Sequence, residues 1–326
     1  MKYFGWSLIS SFALTAAGSP IALLNGRASV SSDMLTTLDL YSQYAAASYC
    51  NSDVPIGSTV TCSDDACPLV TAAGAKVVAT YAGSATDIRG FVSTDAKNQV
   101  IVVSVRGSHS IRNWITDLVF FQKDCSGLVS GCGVHSGFAK AWEEISAAVL
   151  SAVKTAKAAN PAYKIVFTGH SLGGAPARRK RGVRVFRVGP AGREYRVTHL
   201  DDPVPRLPPI VLGYAHTTPE FWLSNGNALK TDYAVSDIKV CEGVRALGCN
   251  ALTLGLNIMS HLYYLGPISG CSPDELVFKK RQSDDDDYLW WQGTSPSTDI
   301  SDEDLEAQLN DWVQQDMQMV ADEESG

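Results

Sequence analysis

One junction narrows the possible folds more than any other feature. The short run Lys164–Thr168, rich in β-branched and aromatic residues, passes directly into Gly169-His170-Ser171-Leu172-Gly173. Such a run reads as a strand. A Gly-x-Ser-x-Gly turn directly after a strand reverses the chain sharply and leaves the serine hydroxyl exposed at the carboxyl edge of a sheet. The flanking glycines remove the side chains that would collide there. The N–H of Leu172 then points to where negative charge develops on an attacked carbonyl. A strand of this kind needs neighbours. Gln99–Val105 is almost wholly apolar and suits a central strand covered on both faces. Lys76–Tyr81 and Ile88–Ser93 read as further strands. Ser136–Ala159 carries Phe138, Trp142, Ile145, Val149 and Val153 at helical spacing, and Ser32–Tyr49 carries Leu35, Leu38, Tyr41 and Ala45. Helices alternating with apolar strands predict an α/β fold with a mostly parallel central sheet.

A serine nucleophile needs a base, and the base needs a carboxylate to orient it. The six histidines are His109, His135, His170, His199, His216 and His261. His170 adjoins Ser171, so its side chain leaves the turn in another direction and is expected to pack structurally. His261 follows an irregular stretch that can place it over the sheet edge. The strand predicted at Tyr195–Leu200 ends in Asp201-Asp202-Pro203-Val204-Pro205, which puts a carboxylate on the same edge. The order Ser, Asp, His is the one a strand–turn–helix hydrolase uses. The residues alone do not choose between Asp201 and Asp202.

Gly169–Ala175, read GHSLGGA, resembles the elbow of the secreted fungal triacylglycerol lipases, the class 3 lipase family, which is related to the feruloyl esterases. The likeness runs from about Leu35 to Cys271 and takes in Tyr41–Cys50, Ser104–Leu118, Gly137–Ala175, Tyr195–Pro209 and Ser260–Cys271. The resemblance implies an α/β-hydrolase fold with Ser171 as nucleophile and His261 as base. It implies Asp202 as the acid, because the family's aspartate immediately precedes residue-Val-Pro. It implies oxyanion donors at Ser108 and Leu172, and an amphipathic lid containing Ile111, Trp114, Ile115 and Leu118. The implied activity is cleavage of acylglycerol esters at an oil–water interface through an acyl-enzyme. No cofactor and no metal are implied, and a monomer is expected. The alternatives are an esterase acting on shorter or aromatic esters, and a damaged, non-catalytic chain.

The remaining features agree with export. Lys2 precedes an apolar run, Phe4–Ala17, and the small residues Ala16, Ala17 and Gly18 follow, which predicts a signal peptide over residues 1–18. Residues 19–27 read as a possible propeptide, and no stretch is long enough for a membrane anchor. Eight cysteines in an exported chain suggest disulfides. Cys62 with Cys67, Cys125 with Cys132 and Cys241 with Cys249 are close in sequence, which leaves Cys50 with Cys271; the family's three disulfides match pairs in this set. A net charge of -7 argues against nucleic-acid binding. The acidity sits from Lys279 onward, where 14 acidic residues face 3 basic ones. Residues 28–278 therefore read as the lipase-like domain, and 279–326 as a solvated, partly disordered tail, with an acidic amphipathic helix over Asp302–Met319 as the alternative.

One segment departs from the family. Asp202 follows Ser171 by only 31 positions. Two helices and two strands at average lengths need roughly 45–55 residues there. Pro176 interrupts the elbow helix, and Ala177–Gly182, read ARRKRG, has no apolar face to bury. Val183–Val188 and Tyr195–Leu200 both read as strands, but the link between them is too short for a helical crossover. The expectation is a core lacking a helix-strand piece of about 20–25 residues after the elbow.

Overall fold

The computed structural model describes residues 30–86, 88–107, 120–125, 133–177, 179–180, 194–243, 248–271 and 300–325. Helix α1 (Ser32–Asn51) starts where the Ser31 hydroxyl accepts a hydrogen bond from the Met34 N–H at 3.1 Å. Helix α2 (Pro68–Ala73) is followed by strands β1 (Lys76–Ala82), β2 (Arg89–Asp95) and β3 (Val100–Val105), an antiparallel meander. The hairpin of β4 (Gln122–Asp124) and β5 (Gly133–His135) leads into helix α3 (Ser136–Ala159). That helix carries the chain back, so that β6 (Lys164–Gly169) lies parallel to β3. Beyond the elbow, β7 (Arg179–Lys180) pairs antiparallel with β9 (Tyr214–Ala215). Strand β8 (Arg196–His199) runs parallel to β10 (Glu220–Leu223), and β11 (Ile238–Cys241) pairs antiparallel on the far side of β10. Two helices follow, α4 (Met259–Leu262) and α5 (Asp302–Ser325).

Alternation along β3 explains the layers. Ile101, Val103 and Val105 point to the face covered by Ala141, Ile145, Val149 and Val153 of α3. Val100 and Val102 point to the other face, where Tyr44 and Ala47 of α1 pack with Val77 and Phe91. Every residue of β3 is buried, as its apolar sequence predicts. The expected boundaries of α1, β1, β2 and α3 hold to within about two residues, the uncertainty inherent in helix and strand ends.

The sheets fit the expected α/β fold, and among the described strands parallel and antiparallel pairs both occur. The links β1–β2 and β2–β3 are short turns, which can join only antiparallel neighbours, and helix α3 supplies the long crossover that makes β3 and β6 parallel. Two expectations need correction. The first is burial of the strand before the elbow, which its apolar residues predict: no residue of β6 is fully buried, because among the described residues β6 ends its sheet. The second concerns the acidic tail, which is not solvated throughout. Residues 302–325 form α5, whose Leu305, Leu309, Val313 and Val320 are buried. Asp316 accepts hydrogen bonds from the N–H groups of Ile210 and Val211 at 2.9 and 2.6 Å, and Asn310 accepts from Gly255 N–H at 2.8 Å. The Trp312 ring meets Phe120 edge-on at 5.1 Å. Charge counting missed this because the apolar stripe is narrow. Its i, i+4 spacing is sufficient to join the core, while the acidic residues of the first turn favour the helix dipole. The expected leader at 1–18, the propeptide at 19–27 and Val183–Val188 lie outside the described residues.

Among the described residues the strand between β6 and β8 in the chain is the two-residue β7, which pairs with β9 and joins neither of their sheets. Order β1-β2-β3-β6 forms one sheet and β11-β10-β8 another. The elbow helix is reduced to a 3₁₀ run, Ser171–Ala177, that stops one residue after Pro176. Among the described residues β6 therefore ends one sheet and β8 ends the other. Inserting a family-length helix-strand piece after Ala175 is expected to raise the thermal midpoint by roughly 10 °C, a gain of a few kcal/mol in a domain of this size. Calorimetry of both chains checks this, and equal midpoints count against it.

Three disulfides staple the scaffold: Cys50–Cys271, Cys62–Cys67 and Cys241–Cys249. Cys125 is also disulfide-bonded, and Cys132, its expected partner, lies outside the described residues. The Cys50, Cys62 and Cys271 sulfurs converge, but each is already in a disulfide, so the cluster offers no thiolate to a metal. Among the described residues no helix is long and apolar enough to cross a membrane.

Candidate active site

The elbow follows from close packing of backbones. A Cβ on Gly169 would come within 2.4 Å of Gly173 O, and one on Gly173 within 2.2 Å of Val105 O. Only glycine fits either position. Ser171 takes φ +57°, a strained value for a residue with a side chain. Gly107, at the end of β3, is equally confined: a Cβ there would lie 2.7 Å from Ser171 Cβ. The loop after β3 therefore lies directly against the serine. Ser108 and the segment holding Ile111, Trp114, Ile115 and Leu118 fall outside the described residues. Leu172 is buried in the apolar cluster with Val204, Leu207, Ile258 and Leu262.

Geometry separates the two aspartates. Leu200, at φ +38°, turns the chain at the end of β8. Asp201 accepts from Asn257 Nδ2 at 2.8 Å and Ser260 Oγ at 2.9 Å. Asp202 is fully buried, and its Oδ2 lies 2.7 Å from His261 Nδ1. Its Oδ1 accepts from Val204 N–H at 2.8 Å, and Tyr264 Oη donates to Oδ2. Burial alone raises the Asp202 carboxyl, but the His261 charge and these donors together outweigh it and hold the group below its ordinary value. Because the carboxylate accepts from Nδ1, Nε2 of neutral His261 is the basic nitrogen. Ser171 Oγ and His261 Nε2 are both buried, and neither has a hydrogen-bond partner among the described residues. The Asp–His arm is thus formed, and the serine–histidine bond is open. Such bonds commonly close only when substrate binds.

The sequence missed the residues that support this arm. His199 Nδ1 donates to Ser260 O at 3.0 Å, so its Nε2 accepts from Tyr233 Oη at 2.8 Å. The buried pair Arg196–Glu220 lies beneath, with Thr198 Oγ1 donating to Glu220 Oε1 at 2.6 Å. Tyr264, two residues after an aromatic-rich turn begins, was legible only as part of a family motif. No spacing rule predicts contacts between residues 60 positions apart.

His170 lies against His261, ring centroids 4.4 Å apart, yet both its nitrogens are engaged, by Tyr49 Oη at 2.8 Å and by His261 O at 2.9 Å. Burial first, and then the neighbouring His261, push its pKa down to about 3. Burial lowers His199 as well. Below pH ~6.5 the unfolded chain therefore takes up protons that the folded chain refuses. Stability is expected to fall with pH between about 6.5 and 3, at up to ~1.4 kcal/mol per unit for His170. His170→Gln should flatten the pH dependence of the thermal midpoint in that window; an unchanged slope would contradict this assignment.

Residues 102–178 match the family model described as lipase (class 3). A secreted mono- and diacylglycerol lipase 1 of Fusarium solani is 42% identical, over 96% of this chain and 97% of that one. The chain belongs to the class 3 lipase family. It is a carboxylic ester hydrolase of the lipase type with an α/β-hydrolase fold, and it is secreted, as the leader and cysteines predicted. A mono- and diacylglycerol lipase from Aspergillus oryzae superimposes with a TM-score of 0.65 at 32% identity, covering 73% of this chain and 98% of that one. A triacylglycerol lipase whose catalytic centre is a serine-protease triad superimposes with a TM-score of 0.60 at 25% identity, covering 75% and 99%. The alignment to the Fusarium lipase spans 345 positions, whereas 96% of this 326-residue chain is about 313 residues. About 32 positions of that alignment therefore have no counterpart in this class 3 lipase.

Proposed function

We propose that this chain is a monomeric lipase that cleaves acylglycerol esters, with Ser171 as nucleophile, His261 as base and Asp202 as the group that orients the base. The observation that carries the reading is the buried 2.7 Å contact between Asp202 Oδ2 and His261 Nδ1, with Nε2 unpaired beside the elbow. His261 Nε2 takes the Ser171 proton as Oγ attacks the acyl carbon, and the charge that develops on the carbonyl oxygen meets the Leu172 N–H. The imidazolium returns its proton to the departing glycerol oxygen, which leaves an acyl-enzyme. Water, deprotonated by the same nitrogen, releases the fatty acid and restores Ser171.

Apolar residues supply the acyl preference. Leu172, Val204, Leu207, Ile258 and Leu262, next to the proposed catalytic residues in sequence, belong to one buried apolar cluster, which keeps water from the site and suits an ester with a hydrocarbon chain. The named relatives act on mono- and diacylglycerols, which makes partial glycerides the first substrates to try. The purified chain is expected to release fatty acid from emulsified 1,2-dioleoylglycerol faster than it cleaves a dissolved p-nitrophenyl acetate. Turnover of the dissolved ester with none of the emulsion would make it a short-ester esterase instead.

A further inference from the structure

His170 and Tyr49 remain outside the triad, although each is buried against it. We propose that both are positioning residues for ester cleavage: the Tyr49 hydroxyl, acting through the His170 ring, fixes the main chain of the base relative to the nucleophile elbow. The proposal rests on the triad reading and adds two residues to it.

The hydrogen-bond arithmetic leaves one arrangement. A carbonyl oxygen only accepts, so the His170 nitrogen facing His261 O must carry its hydrogen, and that nitrogen is Nε2, at 2.9 Å. In a neutral ring the other nitrogen, Nδ1, is then an acceptor, and Tyr49 Oη at 2.8 Å must donate to it. Tyr49 thereby selects the tautomer that lets His170 hold the His261 carbonyl. The same ring lies against the His261 ring, centroids 4.4 Å apart and planes tilted by 33°, so it confines the plane of the base as well as its backbone.

Tyr49 is itself held at three points. It precedes Cys50, which is bonded to Cys271 ten residues beyond His261. Its hydroxyl lies beside Gly107, where an added Cβ would approach it to 2.7 Å. Its ring meets His170 edge-on at 5.9 Å. One side chain therefore ties together the loop after β3, the elbow and the turn that bears His261. Among the described residues no strand pairing joins β6 to β8, which lead into Ser171 and Asp202, so these side-chain links are what connects the elbow to the base there. A misplacement near 1 Å can reduce turnover about 10²-fold.

The test uses the full chain and three variants, with active sites counted by a fluorophosphonate and turnover measured on p-nitrophenyl butyrate. Tyr49→Phe removes the donor. The ring can then turn a lone pair toward the His261 carbonyl, and kcat per titrated site is expected to fall roughly 10–100-fold with KM within about twofold. His170→Gln can still donate to His261 O and accept from Tyr49, so it should keep kcat within about fivefold of the parent, whereas His170→Ala should fall with Tyr49→Phe. Combining Tyr49→Phe with His170→Ala should cost little more than either alone. Unchanged kcat per site in Tyr49→Phe, or His170→Gln as impaired as His170→Ala, overturns the proposal while the triad stands. A loss confined to the number of titratable sites also overturns it, because that is damage to folding alone. A folded parent chain that takes no label on Ser171 removes both readings.

Discussion

Replacing Asp202 with asparagine is expected to lower kcat/KM on a dissolved ester by roughly 10⁴-fold while the chain keeps a cooperative thermal transition. The carboxylate accepts from His261 Nδ1, from Tyr264 Oη and from Val204 N–H. An asparagine oxygen can satisfy one side of that set. Its amide nitrogen cannot accept, so His261 must either lose its partner or move its hydrogen to Nε2. The nitrogen that should take the serine proton is then already protonated. Asp201→Asn makes the control: its carboxylate meets Asn257 and Ser260, not His261, and a loss below about tenfold is expected. If the two substitutions have the same effect, the assignment of the acid is wrong.

The second large effect is at Ser171. Alanine there is expected to reduce kcat on the order of 10⁶-fold, the scale seen when a triad nucleophile is removed from a serine hydrolase. The stability change has the opposite sign. Ser171 Oγ is buried without a partner, which costs about 1–3 kcal/mol that alanine avoids, and the strained φ of +57° is the same for either residue. The variant should melt no lower than the parent. Residual turnover above about one-hundredth of the parent rate would place the nucleophile elsewhere.

How much of this was legible depended on how local each signal was. The elbow, β3, α1 and α3 could be read because strand and helix periods are local, and glycine is demanded wherever backbones nearly touch. Asp202 could be chosen over Asp201 only through a family motif, since adjacent carboxylates differ in what they meet across some 60 residues. The supports at His199, Tyr233, Glu220 and Tyr264 left no local trace, because buried polar networks join residues distant in sequence. The docking of α5 was hidden by its own charge: Leu305, Leu309 and Val313 bury a stripe one residue wide inside a strongly acidic helix. The short spacing between Ser171 and Asp202 can be read by counting alone, since crossovers have minimum lengths.

Ser171 is proposed as an activated nucleophile even though, among the described residues, no strand pairing joins β6 and β8. Mass spectrometry of the native chain after reaction with a fluorophosphonate tests this. One equivalent of label is expected, carried by the peptide that contains Ser171, with labelling at least roughly 10³-fold slower in Asp202→Asn. A cooperatively folded chain that takes no label, or takes it on another residue, would contradict it.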